Sequence, residues 1–256
     1  MRKKILILTI LIFTVVFVSC SPKSVKNKEI TIKLPVGERT GYYTGEVNEG
    51  VPHGIGKFET KNAAGEKWFY EGEFKNGIFN GEGKTIWESG QTQQGFYENG
   101  KWVPNSKQLF EFFESQNSIH INSKAKQFLS DHLDFFPTGD INNILDYVDE
   151  SIMYKMLTKE INEYGNKIMK MSNLYVASIT ANDLFQFSIE NKVSRILAVD
   201  DKYNVYELYC IGDLNDIYDG DIIKNVFGIP LGLNSFENVG GGTTNTVQIA
   251  ICYIEE

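Results

Sequence analysis

The sequence predicts a mainly β chain, α+β overall, in which a β-hairpin array is followed by a short helical segment and then a five-stranded barrel. Three observations predict it. Glycine recurs on a fixed rhythm between residues 41 and 103, with aromatics and carboxylates in the gaps. Apolar residues in 104–164 recur at helical spacing, and beyond residue 165 the period changes to two, in five separate runs.

The chain opens with "MRKKILILTILIFTVVFVSC", a basic head (Arg2, Lys3, Lys4) before an uncharged stretch over 5–18. That stretch is shorter than the roughly 20 residues of a bilayer-spanning helix and has the pattern of a secretory signal. Phe17-Val18-Ser19-Cys20 resembles the lipobox of bacterial lipoproteins, with Phe17 where that family more often has leucine. The resemblance implies a signal peptide over 1–19 and a diacylglyceryl group on Cys20, which becomes the new N-terminus. An ordinary signal and an uncleaved anchor are the plainer alternatives. Residues 20–40 are polar with two prolines and read as a tether.

The formal charge of the whole chain is -8. Loss of the leader removes three basic groups and leaves 22 basic against 33 acidic side chains. Residues 21–103 are balanced, so the acidic surplus belongs to 104–256. A field of that sign disfavours nucleic acid and anionic membrane surfaces as partners.

The hairpin array rests on an internal repeat. Tyr43-Thr44-Gly45-Glu46-Val47 matches Tyr70-Glu71-Gly72-Glu73-Phe74, and Gly54 and Gly56 match Gly81 and Gly83, all 27 residues apart. A further partial copy follows, with Gly72 and Gly77 answered by Gly95 and Gly100. Tyr70, Gly72 and Phe74 alternate with charged residues as a strand with one apolar face does, and Asn76-Gly77 supplies the positive φ of a tight turn. Gly72 and Gly81 are expected to leave room for an aromatic of an adjoining repeat. These residues resemble the MORN repeat, in copies at 43–65 and 70–92 with a partial one at 93–103. The resemblance implies stacked hairpins used for protein or membrane-lipid contact, or as spacers.

In 104–164, Leu109, Phe110, Phe112 and Phe113 suit a plug for the open end of the array. Helices are expected over 123–136 and behind Asp140, with a weaker one in 153–164. Strands are expected at 167–180 (bent at Ser172-Asn173), 194–200, 204–211, 222–228 and 246–254. Their order and the "YDGD" to "FG" run resemble an OB-fold over 165–256; an open β-sandwich is the alternative. The resemblance implies ligand edges at loops 181–192 and 229–245, the second containing Gly240-Gly241-Gly242.

No catalytic constellation and no cofactor motif emerges. His53, His120 and His132 lie away from Cys210 and Cys252, which read either as a disulfide or as two buried thiols in neighbouring strands. Phe185, Phe187, Tyr203, Tyr206 and Tyr209 would suit base stacking, but the acidic domain opposes it. Asp213, Asp216, Asp219 and Asp221, with Asp200 and Asp201, have oxygen ligands for calcium but the chemistry of turns; no metal site is assigned. The expected function is a membrane-tethered envelope lipoprotein that binds another envelope protein, a glycan or a small ligand without catalysis. The alternative is an envelope hydrolase or calcium-dependent enzyme using the aspartate loops.

Overall fold

The computed structural model describes residues 23–182, 193–212, 214 and 216–255. Cys20 and the leader lie outside them, as do Phe185, Phe187 and Asp213.

Seven strands form one antiparallel meander in chain order: β1 (Lys23–Leu34), β2 (Gly37–Asn48), β3 (Val51–Lys61), β4 (Lys67–Lys75), β5 (Ile78–Trp87), β6 (Thr92–Glu98) and β7 (Lys101–Trp102). Its first strand corrects the expectation of a tether over 20–40. Residues 23–34 pair with β2 from Lys23↔Val47 to Leu34↔Gly37. Ile30, Ile32 and Leu34 alternate with Thr31 and Lys33, so one side of the strand reaches the apolar face of the array, where Ile32 and Leu34 are buried.

The repeated turns are the same object three times. Glu49 and Gly50 have φ of 52° and 84°, Asn76 and Gly77 of 52° and 85°, and Asn99 and Gly100 of 49° and 80°. Two consecutive left-handed residues make the hairpin turn that matches strand twist. The second and third turns then dock on the hairpin before them, with Gly77 N–H donating to Pro52 O and Gly100 N–H to Phe79 O, both at 2.9 Å. Register puts Tyr43, Phe58, Tyr70, Thr85 and Gln93 in one buried cross-strand row. The neighbouring row, Tyr42, Glu59, Phe69, Ile86 and Thr92, faces the other way.

Helix α1 (Ser106–Ser115) covers the far end of the sheet. Asn105 and Gln108 form a reciprocal capping box at its start, and Phe112 packs on Trp102 with centroids 5.6 Å apart. The single helix expected over 123–136 stops sooner: α2 is Ser123–Asp131, followed by a 3-10 turn at Leu133–Phe135. Behind Asp140 there are only the 3-10 turns Ile141–Asn143 and Leu145–Tyr147. The weak third helix is α3, Tyr154–Glu160.

The last five strands, β8 (Met169–Asn182), β9 (Val193–Val199), β10 (Val205–Ile211), β11 (Ile222–Glu237) and β12 (Thr243–Glu255), close into a barrel in the order β10-β12-β11-β8-β9. All pairings are antiparallel except β10 with β12. Asn173, at φ 54°, marks the expected bend, which lets β8 pair with β11 along its first half and with β9 along its second. The barrel interior is mainly aliphatic, including Leu208, Val247 and Ile249. Ile229, Leu231, Ala250 and Cys252 on its outer wall instead join Ile168, the helical segment and the hairpin aromatics in one continuous core.

The loop expected over 229–245 is mostly strand. β11 and β12 pair from Asn225↔Glu255 to Glu237↔Thr243, with bulges near Gly228 and Leu231 that absorb the glycine and proline residues.

Candidate binding surfaces of the hairpin sheet

The repeat motif places its side chains bond by bond. In β2 the Tyr43 hydroxyl donates to Glu46 O at 2.6 Å, and in β4 Tyr70 donates to Glu73 O at 2.9 Å. The two glutamate carboxylates accept from Ile55 N–H and Glu82 N–H, each at 3.3 Å. Burial pushes the Tyr43 phenol up to about 12, helped by the nearby Glu46 charge, and pushes the Tyr70 phenol up as well, so both hydroxyls stay donors.

The glycines work differently from the expectation. The tyrosine ring lies over a glycine of its own hairpin: a Cβ at Gly56 would stand 2.5 Å from Tyr43 Cε2, and one at Gly83 would stand 2.5 Å from Tyr70 Cζ. Gly72 instead faces the backbone of Gly83 across the strands, and Gly81 faces the Glu73 carboxylate. Ring and glycine must share a hairpin because Tyr70 and Gly83 sit two residues apart in register, on the same face.

Two hollows result. On the outward face, a groove of about 670 Å³ runs across four strands between Tyr42, Phe69 and Ile86, edged by Lys61, Lys67 and Glu88. Tyr42 is 49% exposed, and Lys57 lies 4.3 Å over the Phe69 ring while pairing with Glu59 at 2.7 Å. On the concave inner face, a cleft of about 350 Å³ is lined by Trp68, Phe79, Trp87, Tyr97 and Trp102, with Arg39, Thr85 and Gln93 among its polar groups. These residues come from five strands, so no local motif announces them. Cross-strand parity from the repeat would have put most of them on one face.

Three of the candidate aspartates are acceptors for backbone N–H groups, two within their own turns and Asp219 from β8. Asp200 Oδ1 takes the N–H groups of Lys202 and Asn204 at 2.9 Å, Asp219 that of Ile179 at 2.7 Å, and Asp221 that of Tyr218 at 2.8 Å. Among the described residues no group of three or more His, Cys, Asp or Glu could hold a metal ion. The triple glycine is a turn in which Asn238 Oδ1 accepts from Gly240 and Gly242 N–H, and Asn238 O from Gly241 N–H. Those amides are therefore committed and cannot cradle a phosphate.

Of the stacking candidates that are described, Tyr206 and Tyr209 are buried and Tyr203 is 87% exposed. His132 packs among Phe128, Phe135 and Tyr147, and His120 donates its backbone N–H to Gln248 Oε1 at 2.9 Å. Cys210 and Cys252 are free and buried. They sit in the paired strands β10 and β12 but face opposite sides of the wall, Cys210 into the barrel and Cys252 into the continuous core. Burial pushes the Cys210 thiol up to about 12 and Cys252 well above its ordinary value.

Sequence reasoning missed one buried polar centre. Glu207, on the outer wall of the barrel, accepts from Tyr209 at 2.9 Å, Asn234 and Thr246 at 3.0 Å and Gln248 at 3.3 Å, with the Arg195 guanidinium 3.3 Å away. Burial alone would raise its carboxyl; Arg195 and the hydrogen bonds outweigh that and hold it below the ordinary value. Gln248 Nε2 also donates to Ser118 O at 3.2 Å, so the centre clamps the segment between α1 and α2 onto the barrel. A charged residue inside the apolar alternation of β10 was its only signal.

No curated protein matches the chain. A family model does match part of it, and what it matches is the hairpin geometry just described, a fold used in general for binding or scaffolding: residues 43–62 and 70–92 are MORN repeats.

Proposed function

We propose that this protein is an exported lipoprotein, held to a bacterial membrane through acyl chains on Cys20, that binds a partner without catalysis. The observation that carries the binding role is the repeat-built sheet, whose outward groove offers Tyr42, Phe69 and Ile86 beside charges of both signs. A groove with an aromatic floor and a charged rim has the composition of a protein interface. Export and anchoring are supported by the basic head, the short apolar stretch and the cysteine directly after it. Because β1 starts at Lys23, little chain separates Cys20 from the folded sheet, which would be held close to the lipid surface. We read the barrel as an OB-fold, on the support of its strand order and its single parallel pair. Its surplus of acidic groups favours a protein, glycan or small-ligand partner over nucleic acid.

The experiment is metabolic labelling with palmitate, followed by membrane fractionation, of the full chain and of Cys20→Ala. Label and membrane association that vanish in Cys20→Ala support the proposal. Unlabelled wild-type protein in the soluble fraction overturns the anchoring.

A further inference from the structure

We propose that the concave face of the hairpin sheet is a binding site for a small aromatic carboxylate. The cleft there, about 350 Å³, is of the size that takes one or two rings with short substituents. Trp68, Phe79, Tyr97 and Trp102 are buried around it and Trp87 is half-buried. Flat aromatic walls favour a planar ring, which stacks or meets them edge-on.

Two polar groups define the rest of the ligand. Gln93 is only 4% exposed and lines the cleft, yet its side-chain amide has no hydrogen-bond partner among the described residues. Solvent still reaches its polar atoms, so a ligand atom can take the place of water there. Arg39, also in the lining, donates to the carbonyl of Glu38 but pairs with no carboxylate among the described residues. An unpaired guanidinium beside an apolar hollow suits a carboxylate.

The hydroxyls nearby are already committed. Thr85 and Tyr97 bond each other at 2.8 Å, and Tyr97 reaches Gln93 O at 3.1 Å. A sugar carrying many hydroxyls would find too few partners here, whereas an aromatic acid needs only the two that are open.

The chain has three tryptophans, Trp68, Trp87 and Trp102, and all three line this cleft, so tryptophan emission reports on it; Trp68 and Trp87 also border the outward groove, and Arg39, which lines the cleft and not the groove, tells the two apart. The test titrates the full chain with phenylacetate and, separately, with its neutral isostere phenylacetamide. Expected is a saturable change in emission with phenylacetate, with phenylacetamide about tenfold weaker, as befits one charge-assisted contact. Arg39→Gln should weaken phenylacetate by about tenfold and leave phenylacetamide unchanged. No saturable change with either probe, or an Arg39→Gln protein that binds phenylacetate as well as wild type, overturns the proposal. Neither outcome bears on palmitate labelling, so this inference and the anchoring stand or fall separately.

Discussion

Gly83→Ala is the sharpest test of how the repeat is held together. Gly83 does not need a left-handed backbone, so an alanine there meets no torsional obstacle; its whole cost is the Tyr70 ring. The new Cβ would lie 2.5 and 2.6 Å from Tyr70 Cζ and Cε2, against about 3.5–4.0 Å for an unstrained carbon pair. Tyr70 has little room to retreat. It is fully buried, stacked on Phe79 at 3.9 Å and edge-on to Phe74 and Tyr97 at 5.2 and 4.9 Å.

Overpacking of a tight core costs about 1–3 kcal/mol. Displacing the ring also breaks the Tyr70 hydroxyl's bond to Glu73 O, worth about 1 kcal/mol. About 3 kcal/mol follows, or a fall in Tm of about 6–12 °C for a chain of this length. The assay is thermal unfolding by circular dichroism, with Gly139→Ala as control, since a Cβ at Gly139 meets nothing within 4 Å. Combining Gly83→Ala with Tyr70→Leu should cost little more than Tyr70→Leu alone, because the two share one contact. A fall below about 2 °C, or full additivity in the double variant, would refute the account, since the expected slope is about 2–4 °C per kcal/mol.

Two further predictions concern the barrel. Glu207 is held below its ordinary value in the fold, so its contribution is fully present above the unfolded pKa of about 4.3 and is lost as pH falls through the folded value. Glu207→Gln should lower stability by about 2–3 kcal/mol at pH 7 and flatten the acid side of a urea-midpoint profile; an unchanged profile would contradict the clamp. The thiols of Cys210 and Cys252, buried and with raised pKa, should resist a thiol-specific reagent at pH 8 in folded Cys20→Ala protein and react only as it unfolds. Rapid native labelling would place at least one of them elsewhere.

The repeat was legible because each of its residues serves a local bond: Tyr43 and Tyr70 to a carbonyl three residues on, Glu46 and Glu73 across the hairpin, and Asn76-Gly77 in the turn. Spacing encodes such contacts directly. The five barrel strands were legible from period two, but the ends of two were not. β11 runs on through Pro230 and Gly232, whose breaking signals are absorbed by bulges visible only with β12 alongside. β1 was hidden by its lysines, although the alternation of Ile30, Ile32 and Leu34 was there to be read. The cleft was out of reach for another reason: Arg39, Trp68, Gln93 and Trp102 meet only because the sheet is curved, and curvature has no one-dimensional trace.

What fixes the sheet against the barrel is not the shared apolar core alone. Hydrophobic contact is non-directional and would tolerate sliding. Directional bonds remove that freedom. Asn122 Nδ2 donates to Pro230 O and Leu231 O at 3.0 and 2.8 Å, His120 N–H to Gln248 Oε1 at 2.9 Å, and Thr138 N–H to Cys252 O at 2.8 Å. Each runs from the helical segment to the outer wall of β11 or β12, and Gln248 is itself held by Glu207. The same segment grips the sheet at its other end, where α1 places Gln108 over Gly95. The chain therefore works as one body. The helical segment serves as the joint between two β units, and cutting at residue 103 would expose apolar surface on both sides of the cut.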